Sequence, residues 1–476
     1  MKPRTWWAVV CAGALAGAAC EGAPARNSRE GPPPPPPPPD TDPITVGDWT
    51  FYGPVQGLSP DVQDVSPDEG GNVYVAGGDA LYVKRRGDPR FLRFDARNAG
   101  LTESCNDASL DLPSPDRPNR QCRVLAVGGA SPGKAIVGFE GLPASTDAGA
   151  LPYWTWVLDS GGADVVAFDP DAGTLTRTRH VTIGSPPHVI CAVGGEERAT
   201  TCDARDYWWT RGRRLFRLVR RIVVNHDPAS PMYGDAWMGG EHGTFAVLLH
   251  DAARRGYVDR VSAWGEEYAD MKDVWEHLHP SLTTPSHPEW FVNGEGWALS
   301  IDPRDGRPWG SNEYRTTSVH GYGGDLSGDH WWLGRFLDLW ADPSADDLTT
   351  RFDQVRSMSH CPDGTLWVGS LRYGLARIGT DGSISRLRLP AAHGEGVMAV
   401  ACDPSDHSLW IGPASGGVLR LRGGTFEAVE NAGAPAFAGQ PVQSIQIDRW
   451  ISPRIVYFAH VQSDGSSGGV AAYHGP

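Results

Sequence analysis

Val355-Arg-Ser-Met-Ser-His-Cys-Pro-Asp-Gly-Thr-Leu-Trp-Val-Gly-Ser-Leu-Arg-Tyr-Gly-Leu-Ala-Arg-Ile378 recurs 42 positions later as Val397-Met-Ala-Val-Ala-Cys-Asp-Pro-Ser-Asp-His-Ser-Leu-Trp-Ile-Gly-Pro-Ala-Ser-Gly-Gly-Val-Leu-Arg-Leu421. Each copy has an apolar alternating run, a Pro/Asp turn and a Leu-Trp-Val/Ile-Gly strand. A glycine turn follows, then a second alternating strand ending in Arg and an aliphatic residue. Period-2 alternation between turn residues marks short strands. A repeat of this length, with three or four such strands per unit, is the pattern of a β-propeller blade. The fold class read from these two stretches is all-β, a β-propeller.

Weaker copies extend the pattern in both directions. Val62 to Val83 fits with Tyr74 at the tryptophan position, and Ile222 to Leu248 fits with Trp237 in register. A shorter match runs from Trp297 to Trp309, and a last one begins at Val442. Degenerate units start near Val124 and Val189. These make eight candidate starts, but Val189 and Ile222 are too close to hold a four-stranded blade between them. Seven blades fit best and eight is the alternative. The strand-like Trp49-Thr-Phe-Tyr52 precedes the first unit. It is expected to complete the last blade, because strands from both chain ends then leave no free sheet edge. The propeller spans 43–476 on this reading, with inserts at about 251–295 and 310–350.

The two best copies resemble the propeller repeat of the sensor regions of bacterial two-component regulators. Asp363-Gly364-Thr-Leu-Trp367-Val-Gly369 with Gly374-Leu375, and Leu409-Trp410-Ile-Gly412 with Gly416-Gly417-Val418, carry the resemblance. It covers about a third of the chain. No membrane span, kinase or DNA-binding region follows the repeats, so the resemblance implies a fold and an extracytoplasmic setting rather than a signalling output. The Asp-box of sialidase-type propellers is not met at Asp363, where Gly364 follows directly.

The first nineteen residues read as a signal peptide: Lys2 and Arg4, then an apolar stretch from Trp6 to Ala19 too short to span a membrane. Cys20 sits where the bacterial lipobox places its lipidated cysteine, although Gly17 stands where leucine is preferred. Residues 20–42 form a linker containing eight consecutive prolines, Pro32–Pro39. Such a run extends as polyproline II, and at ~3.1 Å per residue it holds a folded domain ~25 Å from an anchor. The net charge of −15 argues against nucleic acid, whose phosphates need a positive surface. Membrane association is expected only through the N-terminal lipid.

Beyond Cys11 and Cys20 six cysteines remain, an even number that suits disulfides in an exported protein. Proximity suggests Cys105–Cys122 and Cys191–Cys202. Cys361 and Cys402 occupy the same place in the two best repeats, so a bridge between neighbouring blades is expected there. Of the 19 tryptophans, Trp237, Trp309, Trp367 and Trp410 hold the repeat position and read as core between blades. Trp154, Trp156, Trp208, Trp209, Trp331, Trp332 and Trp340 sit in or beside inserts, where they either pack onto the toroid or offer binding surface.

Catalytic signals are weak. No nucleophile elbow or metal-protease helix is present. Asp169, Asp227, Asp302, Asp363 and Asp403 sit in Asp-Pro or Asp-Gly turns and are expected to serve turn hydrogen bonds. Glu276, His277 and His279 lie on the one stretch that reads as a helix, but histidines two apart do not share a helix face, so no metal site is assigned. The leading expectation is a non-catalytic scaffold or binding protein of the cell envelope, engaging a protein or polysaccharide through one propeller face without a cofactor. The alternatives are a hydrolase or lyase acting on a glycan or lactone, which admits Ca²⁺, and an extracytoplasmic ligand sensor.

Overall fold

Short apolar strands separated by Asp and Gly turns have one economical way to satisfy their backbone groups: each pairs antiparallel with its neighbour in sequence. The computed structural model follows that rule in every described sheet but the last, where strands from the two ends of the chain pair. It describes residues 42–102, 123–140, 162–181, 190–193, 196–199, 219–230, 233–234, 236–240, 243–247, 298–311, 318–324, 331–340, 355–429, 440–462 and 467–475. The described part begins with β1 (Ile44–Val46) and β2 (Trp49–Tyr52). A first four-stranded meander comprises β3 (Asp64–Pro67), β4 (Val73–Ala76), β5 (Leu81–Lys84) and β6 (Phe91–Phe94). A second comprises β7 (Val124–Gly129), β8 (Lys134–Phe139), β9 (Gly162–Asp169) and β10 (Thr174–Val181).

The hairpin β11 (Ile190–Val193) and β12 (Glu196–Ala199) pairs only with itself among the described residues. Among the described residues the start near Val189 therefore opens a two-stranded hairpin and not a four-stranded sheet. Three strands follow, β13 (Arg221–Val224), β14 (Ala236–Gly240) and β15 (Gly243–Val247). The next sheet holds β16 (Leu299–Ile301), β17 (Pro308–Ser311), β18 (Ser318–Gly324) and β19 (Trp331–Asp338). Residues 318–324 and 331–338, read from the sequence as part of an insert, are thus the outer two strands of a regular sheet. The matched repeats are β20 (Val355–His360), β21 (Leu366–Ser370), β22 (Gly374–Ile378) and β23 (Ile384–Leu387), then β24 (Val397–Cys402), β25 (Leu409–Pro413), β26 (Leu419–Arg422) and β27 (Thr425–Ala428). Finally β28 (Val442–Asp448), β29 (Ile455–His460) and β30 (Gly469–Tyr473) are extended by β2 and β1, giving the order β1-β2-β30-β29-β28. Trp49–Tyr52 pairs with Val470–Tyr473, so both ends of the unit share one sheet as expected. Helix is nearly absent from the described residues, where the one α-helix is a single turn, Ala96–Ala99.

The first strands stand side by side in a closed order: β3 beside β7, then β13, β16, β20, β24, β28 and β3 again. Four of them, β7, β20, β24 and β28, carry a register shift after their first residue. That recurring bulge adds twist where each strand enters the ring. Second strands are covered on both faces by neighbouring sheets, and all five residues of Leu366–Ser370 and of Leu409–Pro413 are buried. Outer strands such as Thr425–Ala428 are largely exposed. Trp237, Trp410 and Tyr74 are fully buried, Trp367 is buried, and Trp309 packs at the edge of a core cluster as a partly buried residue. Trp410 touches Phe458 and Tyr473 of the adjacent sheet at ring distances of 5.7 and 5.2 Å. Sheet-to-sheet packing of aromatic and aliphatic side chains is therefore the apolar cement, each fully buried large side chain contributing roughly 1.5–3 kcal/mol. Cys361 and Cys402 form the disulfide expected between the two best repeats. This is an all-β, β-propeller-like arrangement.

Candidate functional site

Neighbouring first strands are joined by side chains reaching from one strand to the next. Ser66 accepts a hydrogen bond from the Gly129 amide at 2.9 Å, Ser357 from Val400 at 2.9 Å, Ser359 from Cys402 at 2.9 Å and Ser300 from His360 at 3.0 Å. Asp64 plays the same part toward the Val127 amide. A polar residue at alternate positions of a buried strand is expensive unless it is bonded. Here each oxygen caps an amide of the next strand; Ser357 also reaches the Val400 carbonyl and Ser300 the His360 ring.

Inside the ring lies a cavity of about 710 Å³, lined by β3, β13, β16, β20, β24 and β28 and by the turns that leave their C-terminal ends. Its size falls in the range of ligand pockets. β7 stays out of the lining because its glycines let the flanking strands close in. A Cβ at Gly128 would lie 2.6 Å from Ile222, and one at Gly129 would run into the Pro67 carbonyl. Arg221 reaches toward Asp64 at 3.6 Å and Ser444 at 3.5 Å from β13. Burial raises Asp64, with Arg221 as the strongest opposing influence.

At the end of the cavity three turns converge. His226 Nδ1 donates to Glu69 at 2.9 Å, and the Tyr233 hydroxyl donates to the other Glu69 oxygen at 2.5 Å. The His226 hydrogen bond, ahead of every other influence, holds Glu69 below the usual carboxylate range. Burial lowers His226, which favours the neutral ring. Trp450 meets the His226 ring edge-on at 4.6 Å, and the Arg449 guanidinium lies 5.2 Å above Trp450. Glu69 follows β3, His226 follows β13, and Arg449-Trp450 follows β28, so the mouth is assembled from three separate sheets.

Ser300, His360 and Asp302 form a second grouping. Ser300 Oγ is 2.9 Å from His360 Nδ1, while His360 Nε2 stands 4.0 Å from Asp302. It looks like a nucleophile, base and acid, but the details oppose that role. Asp302 is held by Arg304 through a 2.6 Å ion pair, and burial pushes His360 down to about 4. Ser300 is also the same strand-to-strand cap as Ser66 and Ser359, which places it in the architecture.

The turn aspartates behave as their sequence context requires. Asp169, Asp227, Asp302, Asp363 and Asp403 each accept an amide two residues ahead. Trp331 and Trp332 lie on β19, the outermost strand of its sheet, and Cys191 lies on β11. Cys20, Cys105, Cys122, Cys202, Trp154, Trp156, Trp208, Trp209 and the Glu276–His279 stretch fall outside the described residues. Among the described residues no three potential ligands form a metal site, and no helix is long and apolar enough to cross a membrane.

No family model and no curated protein matches the chain. Two solved structures resemble it in their chain trace. One is YCF48 bound to D1 peptide, at 12% identity and a TM-score of 0.46, covering 91% of this chain and 98% of that one. The other is the extracellular domain of a hybrid two-component system from B. thetaiotaomicron, at 13% identity and a TM-score of 0.47. There the match covers 90% of this chain and 42% of that one.

Proposed function

We propose that this chain is a seven-bladed propeller that works as a non-catalytic binding protein of the cell envelope. It takes a protein partner or extended polymer at the end of the ring where the first strands finish. The closed order of seven first strands supports the blade count. Export, a lipid anchor at Cys20 and a proline-rich spacer over 20–42 follow from the sequence and suit a platform held off a membrane. One observation carries the binding reading: a ligand-sized cavity with inward-facing hydroxyls opens at a mouth built from His226, Arg449 and Trp450. Its nearest approach to catalytic machinery, Ser300 with His360, is occupied in joining two strands.

The test is affinity capture of the full-length protein from gently solubilised, cross-linked envelope, with Trp450→Ala as the comparison. A specific partner that is recovered with the native protein and depleted with the variant is the expected result. An empty capture at good recovery, or a partner indifferent to Trp450, overturns the assignment of the mouth.

A further inference from the structure

Resting on that reading, we infer that the cavity recognises a carboxylate, with Arg221 inside and Arg449 at the mouth as its cationic partners. The argument starts from hydrogen-bond supply. Ser66 and Ser359 both line the cavity, and each spends a lone pair on a backbone amide of the next strand. What each has left to offer the lumen is its proton and one lone pair. Arg221 adds donors that are poorly used. Its approaches to Ser444 and Asp64, at 3.5 and 3.6 Å, are at or beyond the limit of a useful hydrogen bond. Asp64 is already committed to the amides of Val65 and Val127. Arg449 is exposed and makes no ion pair or hydrogen bond among the described residues; the Trp450 ring holds it, and the nearby charges of Glu69 and Asp227 favour its cation. Against these two cations the cavity lining contains one carboxylate, Asp227, which accepts the Ala229 amide; Glu69 at the mouth is already bonded to His226 and Tyr233, and Asp64 beside Arg221 accepts two amides.

A wall with two guanidinium groups, whose neighbouring carboxylates are already hydrogen-bonded within the protein, fits a ligand rich in acceptors. Guanidinium groups match a carboxylate in a planar two-point geometry that a neutral amide cannot offer. A neutral saccharide is the weaker fit, since sugars need an open aromatic face. Arg449 covers one face of Trp450 and the His226 ring closes on it from the side. The carboxylate has two sources, an acidic side chain of a bound peptide or a free small dicarboxylate, and the test separates them.

The full-length protein is titrated calorimetrically with the blocked peptide acetyl-Gly-Glu-Gly-Glu-Gly-amide, with its glutamine counterpart and with succinate. Binding of the glutamate peptide at least tenfold tighter than the glutamine peptide, weakened about tenfold by Arg449→Gln and by raised salt, is expected. Succinate binding as tightly as the peptide would assign the site to a free dicarboxylate. Succinate binding much more weakly would assign it to peptide side chains. Equal binding of the two peptides, failure of every carboxylate probe at millimolar concentration, or indifference to Arg449→Gln overturns the inference. Arg449 is exposed, so its variant is expected to fold, and unchanged circular dichroism checks this. Envelope capture separates the two claims: a partner captured equally by native protein and Arg449→Gln, with no carboxylate bound, defeats this inference and leaves the binding-protein reading standing.

Discussion

Two seams of the ring are held by different means. Between the sheets β20–β23 and β24–β27 the joint is local. The Cys361–Cys402 disulfide crosses it, Ser357 and Ser359 cap amides of β24, and Leu375, Val397, Leu409 and Ile411 form a continuous apolar layer. Between β28 and β3, where the ring closes, no disulfide is present among the described residues. The chain's own ends do that work, through β2 lying against β30. Charges are buried there as well. Lys84 is 6% exposed and Asp448 is fully buried with one oxygen lacking a partner. Burial lowers Lys84 and raises Asp448 to about 6. Seams between sequence neighbours can be stitched by repeated residues in register. The closing seam joins residues hundreds of positions apart and depends on a shared sheet.

The largest effect should come from attacking that shared sheet. Phe51 on β2 is 1% exposed and packs with Trp49, Trp410 and Phe458. Phe51→Ala removes a large buried ring and should cost about 3–5 kcal/mol, read as a lowered urea midpoint. The Phe51 ring packs toward Trp410 of the β24–β27 sheet, so if β2 were secondary to the rest of the ring the midpoint would barely move.

Removing the disulfide as Cys361→Ala with Cys402→Ala tests the other seam. The bridge closes a loop of sequence separation 41, so its loss should cost about 2–4 kcal/mol. The loss should be smaller than that of Phe51→Ala, because the serine caps and the apolar layer survive. A larger loss would mean that the covalent link, and not β2, is the main constraint on closure.

Asp448→Asn should act in the opposite direction. Its carboxyl is raised above the unfolded value near 3.9, so the folded state holds the proton more tightly. The group's favourable contribution is full below about pH 4 and falls as pH rises. It is exhausted above about pH 6, where a buried charge remains. Asparagine keeps an oxygen for the Trp450 amide. The variant should therefore be more stable by about 1–3 kcal/mol at pH 8 and no more stable at pH 4. An equal effect at both pH values would show that packing, not ionisation, governs this position.

The same contrast explains what the sequence could reveal. The repeat carried by Trp367 and Trp410 is local, so strands, turns and the pairing of Cys361 with Cys402 were all legible. Trp49–Tyr52 was legible as a closing strand because an unpaired edge needs a partner. The mouth was not legible. His226 and Glu69 are 157 residues apart and Ser300 and His360 are 60 apart, and no spacing rule connects such pairs. A faint signal existed in Ser66, Ser300, Ser357, Ser359 and Ser444, polar residues recurring on strands otherwise apolar. Tryptophans drew attention to the inserts instead, because aromatic excess is visible in composition while a ring of single hydroxyls is not.

The smallest predicted effect bears on how the local seam shares its load. Ser359 accepts the Cys402 amide, and Cys402 is also half of the disulfide. Ser359→Ala leaves that amide without its cap, at a cost of about 1–2 kcal/mol in the oxidised protein. In the protein lacking the disulfide, β20 and β24 have more freedom to separate, and water can reach the freed amide. The serine substitution should then cost less, giving a coupling energy in a double-mutant cycle. Amide exchange at Cys402 should accelerate in Ser359→Ala more than exchange at Val400, whose own cap is Ser357. If the two losses simply add, hydroxyl and disulfide hold the seam independently, and the local joint is two parallel devices instead of one.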